Sequence, residues 1–303
     1  MKIIAIVVTY NGEKWIDKCF DSLLCSTVPV QVLAIDNASG DSTVNLIRQK
    51  YPAVEIIETG ANLGFGKANN IGLKNALEQG ADYVFLLNQD AWVEKDCIEK
   101  LVEVADVNKG YGIISPFHLL PGHSKLEWHF STYIAPEKCN DLVSDIYFNT
   151  LKEIYALEFV NAAAWLISID AIRQVGGFDP LFPHYGEDDD YCNRMIYNKF
   201  KIGVAPAAVI THDINLKSWD DIKYNFQRQL IFSFIELKNI RLSYKFLLFN
   251  YTKSRLERLL SLLLLRKWKE FFFMARVFFS SVHWFAKIGR SRKIAKSECA
   301  YLK

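Results

Sequence analysis

The residues Glu187-Asp188-Asp189-Asp190 place four carboxylates side by side. Like charges at this spacing repel unless solvent, a helix N-terminus or a cation offsets them. Crowding and burial also lift carboxylate pKa values toward the range in which a general base works. A solvated first turn of a helix is the plainer reading, but Phe178, Phe182 and Tyr185 precede the run and set it against an aromatic surface. Arg194 follows Glu187 by seven residues, two helical turns on, and is expected to pair with it. Asn88-Gln89-Asp90 offers a carboxylate for Mn2+ or Mg2+, ions that accept few protein ligands when phosphate oxygens supply the rest. Asp36 can accept hydrogen bonds from a pyrimidine imide or from ribose hydroxyls, although a strand-end turn built from Asp, Asn and Ser explains it as well. His212-Asp213 adds a histidine, more often a structural residue than a ligand.

These groups need a scaffold. Ile3–Val8 is an apolar, β-branched run, suited to a parallel strand buried on both faces. A helix over Glu13–Leu24 follows, then strands at Val30–Ile35, Val54–Ile57 and Tyr83–Leu87, with helices from Asp41 and over Gly66–Leu77 between them. This alternation predicts a parallel α/β sheet with ligands beyond the carboxyl ends of its strands. Thr9-Tyr10-Asn11, Asp36-Asn37-Ala38-Ser39 and Asn88-Gln89-Asp90 all fall there. Further on we expect a helix over Lys95–Val107 and a strand near Gly112–Ser115. Residues 117–157 read as strands and loops. A strand within Phe159–Ile169, a helix over Asp170–Val175, a helix from Glu187 to near Lys199 and a last strand at Ile202–Ala205 complete the body. Past Trp219 the pattern is helical.

The 303 residues carry a formal net charge of +2, which hides an asymmetry. Lys238–Lys303 holds 16 Lys/Arg against 3 Asp/Glu, net +13, and the rest is net −11. Half of the residues are hydrophobic, which excludes wholesale disorder. Six scattered cysteines without a C-x-x-C pair argue against a zinc ribbon or a disulfide framework and for a reducing compartment. The amino terminus lacks the pattern of a signal peptide, and no stretch reaches the ~18 apolar residues that a membrane-crossing helix needs. A cytoplasmic chain is expected.

Five ordered segments carry a resemblance. Val7-Val8-Thr9-Tyr10-Asn11-Gly12, Asp36 to Thr43, Asn62 to Gly72, Gly176-Gly177-Phe178-Asp179, and Gly186 to Asp190 with Arg194 resemble those of family 2 glycosyltransferases, in particular the bacterial rhamnosyltransferase-like branch. The resemblance implies a GT-A fold: an α/β fold with a mixed, mainly parallel sheet over residues 1–215, a nucleotide-binding half (1–110) and an acceptor half (111–215), followed by a helical region at 216–303. It implies a metal-dependent, inverting transfer from a nucleoside-diphosphate sugar, UDP- or dTDP-linked, with rhamnose one option, to a hydroxyl of a growing surface glycan. Carried over residue by residue, Thr9, Tyr10, Asn11, Asp36, Asn62, Gly64, Asn69 and Asn88 would contact the donor. Asp90 and His212 would hold Mn2+ or Mg2+, and Asp188 would be the base. Glu187, Asp189 and Arg194 would stand on the acceptor side. Asn88 departs from the family's D-x-D pattern and leaves one strong anionic ligand.

Leu242–Lys293 alternates aromatic and basic residues. Amphipathic helices on the cytoplasmic face of an anionic membrane are expected, which suits a lipid-linked acceptor. Packing on the body or on another protomer, as in a homo-oligomer, is the competing reading. No nucleic-acid recognition motif accompanies the charge, so nucleic acid is not an expected partner. A non-catalytic nucleotide-sugar or glycan-binding subunit of the same fold is the alternative function; loss of Asp90 or of the Glu-Asp pair would mark it.

Overall fold

The computed structural model describes residues 1–214 and 225–302. The expected helices and strands of the first 110 residues are present: β1 (Ile3–Thr9), α1 (Ile16–Leu24), β2 (Gln31–Asp36), α2 (Thr43–Lys50), β3 (Glu55–Glu58), α3 (Phe65–Glu78), β4 (Tyr83–Asn88) and, after a short strand β5 (Ala91–Val93) that the sequence did not announce, α4 (Cys97–Val107). The second half comprises β6 (Tyr111–Leu119), α5 (Trp128–Tyr133), α6 (Leu142–Phe148), β7 (Tyr155–Leu157), β8 (Ala164–Ser168), α7 (Ile169–Val175), α8 (Glu187–Tyr197) and β9 (Lys201–His212). Three helices follow: α9 (Phe226–Lys238), α10 (Tyr244–Leu264) and α11 (Trp268–Ile294).

One nine-stranded sheet joins both halves in the order β3-β2-β1-β4-β8-β6-β9-β5, with β7 also on β9. β1, β2, β3 and β4 pair in parallel. β8 then enters antiparallel between β4 and β6, while β6 and β9 run parallel. Side chains alternate across a strand, so Ile4, Ile6, Val84 and Leu86 enter one apolar layer and Ala5, Val7, Phe85 and Leu87 the other. This double burial is what the unbroken apolar runs predict.

Two further regions differ from the sequence expectation. Residues 117–157 hold the end of β6, the short helices α5 and α6 and only a three-residue strand, β7. The aromatic run Trp128–Tyr133 favours strand by composition, yet Glu127 caps it as helix, its carboxylate accepting from the His129 and Phe130 N–H groups at 2.7 and 2.9 Å. The last strand does not stop at Ala205. A register shift against β6 between Pro116 and Phe117 accommodates Pro206, and β9 runs on to His212.

The C-terminal helices are fastened to the body by a buried charged knot. Lys238 Nζ lies 2.7 Å from Asp179 and 3.2 Å from Asp190, and Arg194 Nε bonds Asp190 at 2.8 Å. Ser291 and Tyr301 hydroxyls donate to Asp179. Residues 299–302 dock on the Gly176-Gly177 turn, where Gly177 N–H donates to Ala300 O at 2.8 Å. Gly176 has φ +87°, and a Cβ there would stand 2.0 Å from Ala300 O. All six cysteines are free, as expected. No helix among the described residues is long and apolar enough to cross a membrane.

Candidate active site

The carboxyl ends of β1, β2 and β4 converge because the three strands are in register, with Thr9 beside Asp36 and Val8 beside Asn88. Their loops are stitched together by side chains. Asp36 is buried and accepts from Thr9 Oγ1 at 2.9 Å, Ser39 N–H at 2.9 Å and Ser39 Oγ at 2.6 Å. These donors occupy both carboxylate oxygens, so the turn-forming role is visible directly. Asn11, at φ +48°, accepts from Gly40 N–H at 2.8 Å, and exposed Tyr10 is clasped at its backbone by Gln89 at 2.9 and 3.0 Å. The sequence reading placed Gln89 in its triplet but gave it no role. Among the expected donor-side residues, Asn62 accepts from Asn37 Nδ2 and Gly64 N–H, both at 3.0 Å. Gly64 has φ +82°, and a Cβ there would reach 2.1 Å from Pro183 O. Asn69 is buried and caps back to Phe65 O at 3.1 Å. Its neighbour Asn70 bridges the halves, giving and receiving hydrogen bonds with the Phe178 backbone at 2.8 and 2.6 Å.

A cleft of about 740 Å³ opens between the halves. Asn88 and Asp90 line it from the β4 end, Glu187, Asp188 and Asp189 from the start of α8, and His212 from the end of β9. The two key carboxylates, Asp90 and Asp188, thus share one cavity. The β5–β9 pairing explains the placement of His212: Ala91 sits opposite it, Asp213 N–H donates to Asp90 O at 2.9 Å, and His212 Nε2 comes 3.4 Å from Asp90 Oδ1. That separation suits two ligands on one divalent ion, with Asp90 a partly exposed hard oxygen donor facing the cleft. Asn88 adds a neutral amide beside it.

Behind His212 lies a group the sequence reading missed. His118, Glu127 and His212 are buried and bring one donor atom each within 4.8 Å of one another. His118 Nδ1 and His212 Nδ1 have no hydrogen-bond partner among the described residues. Burial, with His212 nearby, holds the His118 pKa well below its usual value, so its ring stays neutral.

α8 begins at Gly186, φ +85°, where a Cβ would meet Ile235 of α9 at 2.9 Å. Three of its four acids face the cleft. Burial raises the Glu187 pKa, with Asp188 adding to the effect and Arg228 opposing it. Burial likewise raises Asp188, against backbone N–H groups of Asp189 and Ala162 that favour its carboxylate, and burial with Asp188 raises Asp189. Asp188 also accepts a hydrogen bond from Asp189 N–H at 3.0 Å. Glu187 Oε2 has no hydrogen-bond partner among the described residues.

Arg194 does not pair with Glu187 and does not face the acceptor side. It is fully buried, bonded to Asp190 and to the carbonyls of Val175 and Gly177 at 2.9 and 2.6 Å. On a helix the neighbour four residues back lies directly along the same face, and here the i−4 carboxylate took the guanidinium. The cleft is also lined by Trp128, Tyr133 and Tyr185, aromatics the sequence placed near a site, and by His129 and Arg228, to which it gave no role.

The sheet with its antiparallel insertion, the strand-end carboxylate and the acidic helix define a nucleotide-sugar-type GT-A architecture. The profile of glycosyl transferase family 2 matches residues 4–161, and the chain belongs to that family. It is 25% identical over 235 residues to N-acetylglucosaminyl-diphospho-decaprenol L-rhamnosyltransferase of Mycobacterium tuberculosis, covering 68% of this chain and 74% of that protein. It is 26% identical over 219 residues to dTDP-rhamnosyl transferase RfbF of Shigella flexneri, covering 71% and 70%. Among solved structures, S. aureus TarS 1-349 in complex with UDP-GlcNAc superposes with a TM-score of 0.57 at 17% identity, covering 82% of this chain and 69% of that one. The mannosyltransferase PcManGT of Pyrobaculum calidifontis, in complex with GDP-Man and Mn2+, gives 0.59 at 16% identity, covering 93% and 75%.

Proposed function

We propose that this chain is an inverting glycosyltransferase that moves a sugar from a nucleoside-diphosphate donor to a hydroxyl of a lipid-linked, growing surface glycan. The observation that carries the reading is the shared cleft of Asp90 and Asp188. Asp188 takes the proton of the acceptor hydroxyl as that oxygen attacks the anomeric carbon from the face opposite the diphosphate. One displacement inverts the centre, and the proton ends on the Asp188 carboxylate. Asp90 and His212 are placed to hold Mn2+ or Mg2+, which when bound neutralises the growing charge of the leaving diphosphate. Thr9, Asp36, Asn37 and Asn62 rigidify the loops on which the nucleotide rests, and Tyr10 and Asn11 present the exposed edge. Glu187 and Asp189 extend the acidic wall on the acceptor side.

The relatives' names, a decaprenol-linked rhamnosyltransferase and a dTDP-rhamnosyl transferase, favour a dTDP-sugar donor, with dTDP-rhamnose the first to try, and a lipid-borne acceptor. A lipid-borne acceptor sets the enzyme at the cytoplasmic membrane face, with the outer surface of α10 and α11 as its contact. Those helices expose Phe249, Leu264, Phe272 and Phe279 among basic side chains, while their inner faces pack on the body. A non-catalytic subunit is disfavoured because Asp90 and the Glu-Asp pair are all retained. The deciding experiment is a thermal-shift screen of nucleotide sugars with Mn2+ or Mg2+, followed by transfer to a lipid-linked acceptor. Stabilisation by one nucleotide sugar and inverted product support the reading; no stabilisation by any UDP-, dTDP- or GDP-sugar rejects it.

A further inference from the structure

One face of α9 runs along the cleft. Arg228, Ile231, Phe232 and Ile235 stand at i, i+3, i+4 and i+7 and all line it. Arg228 is the one Lys or Arg among the described lining residues, in a cavity otherwise walled by Asp90, Glu187, Asp188 and Asp189. Its guanidinium rests over the Tyr185 ring, 3.1 Å from the centroid, and forms no ion pair among the described residues. A cation held on an aromatic face, with no ion-pair contact among the described residues, is pre-organised to take an anion with little further ordering. Immediately along the helix come three apolar side chains, which offer nothing to a phosphate or to sugar hydroxyls. The face therefore matches a ligand in which an anion is joined directly to a hydrocarbon chain.

We propose that this face of α9 is the subsite for the lipid carrier of the acceptor: Arg228 binds its diphosphate, and Ile231, Phe232 and Ile235 carry the first isoprenoid units. The inference rests on the transferase reading above and names where the non-sugar part of the acceptor sits. Arg228 rests on Tyr185, directly before Gly186 and the acidic start of α8, so the diphosphate of such an acceptor lies beside that wall and its sugar reaches Asp188 while the lipid runs on along α9.

The test is calorimetry on the full chain with farnesyl diphosphate, without divalent ions, against farnesol and inorganic pyrophosphate, and separately with UDP plus Mn2+. Farnesyl diphosphate is expected to bind at least about tenfold tighter than either fragment. Arg228→Gln is expected to remove about tenfold of that affinity while leaving UDP binding unchanged, and Phe232→Ser to weaken farnesyl diphosphate but not pyrophosphate. Farnesyl diphosphate binding no tighter than pyrophosphate overturns the proposal. So does an Arg228→Gln loss that is equal for UDP, which assigns the residue to the donor's diphosphate. Failure of the transferase reading shows elsewhere, as absent sugar transfer by the unmodified chain whose farnesyl diphosphate binding persists.

Discussion

The Lys238 ammonium at the end of α9 sits 2.7 Å from the Asp179 carboxylate, and both side chains are buried. Asp179 closes the Gly-Gly-Phe-Asp turn that leads to α8, so this contact ties the C-terminal helices to the segment carrying Asp188. Against its burial, Lys238 and the hydrogen bond from Ser291 hold the Asp179 pKa below the usual carboxylate range. Two buried Asp, one Arg and one Lys balance in charge, which makes each partner hard to remove.

Lys238→Met leaves Asp179 and Asp190 short of one cation in a dry site. We expect a loss of about 3–5 kcal/mol of stability by urea denaturation. Asp179→Asn in the Lys238→Met background should recover part of it, because the stranded charge is then gone.

Asp188→Asn keeps the shape of the α8 start but cannot accept the proton. Turnover should fall by about 10²–10⁴-fold with nucleotide affinity retained. Undiminished transfer of a radiolabelled sugar by this variant removes Asp188 from the mechanism.

Asp90→Ala strips the cleft of its strand-end carboxylate. Donor binding with Mn2+ should weaken by about tenfold or more, while binding without metal stays as it was. Calorimetry in both conditions reads the difference, and equal affinity for Mn2+-donor in variant and parent removes Asp90 from the ion site.

Burial raises the pKa values of Glu187 and Asp189 in the folded chain, to about 8 and about 7. The native state then binds more protons than the unfolded one between the ordinary carboxylate range and these values. Stability should therefore fall as pH rises through that window. Glu187→Gln, neutral at every pH, should raise the melting temperature at pH 8 relative to the parent and change it less at pH 5. A shift of the same size at both values contradicts the buried-carboxylate account.

The turn between α10 and α11 exposes Leu263, Leu264, Leu265 and Trp268 beside Arg266, Lys267 and Lys269. Leu264→Ser with Trp268→Ser should lower flotation with anionic vesicles and leave the melting temperature within a few degrees. Unchanged flotation rejects the membrane contact. Cutting the chain at residue 237 would be a poor test, because it also removes Lys238, Ser291 and Tyr301 from the knot.

Legibility in the sequence followed the range of the forces involved. β1, β2 and β4 announce themselves because strands buried on both faces need unbroken apolar runs, and the polar end of β4 lines the cleft. The start of α8 was visible from its acids. Arg194 was misplaced because its partner depends on which of four carboxylates points inward, and only tertiary packing decides that Asp190 does. His118, Glu127 and His212 lie far apart in the chain and meet through the β6–β9 pairing and the hairpin where Glu127 N–H bonds His118 O, so no local pattern announces them. Arg228 escaped notice for a related reason: its significance comes from the acids across the cleft, not from its neighbours.

The strap formed by residues 299–302 over Gly176-Gly177 has a temporal meaning. A ribosome delivers Ala300 more than a hundred residues after Gly177, so the support beneath α8 arrives well after the helix itself. Until then the turn lacks its lid, and a nascent chain holds its acids on an unbraced helix. Release upstream of this segment would leave Gly176-Gly177 uncovered and the start of α8 without that brace.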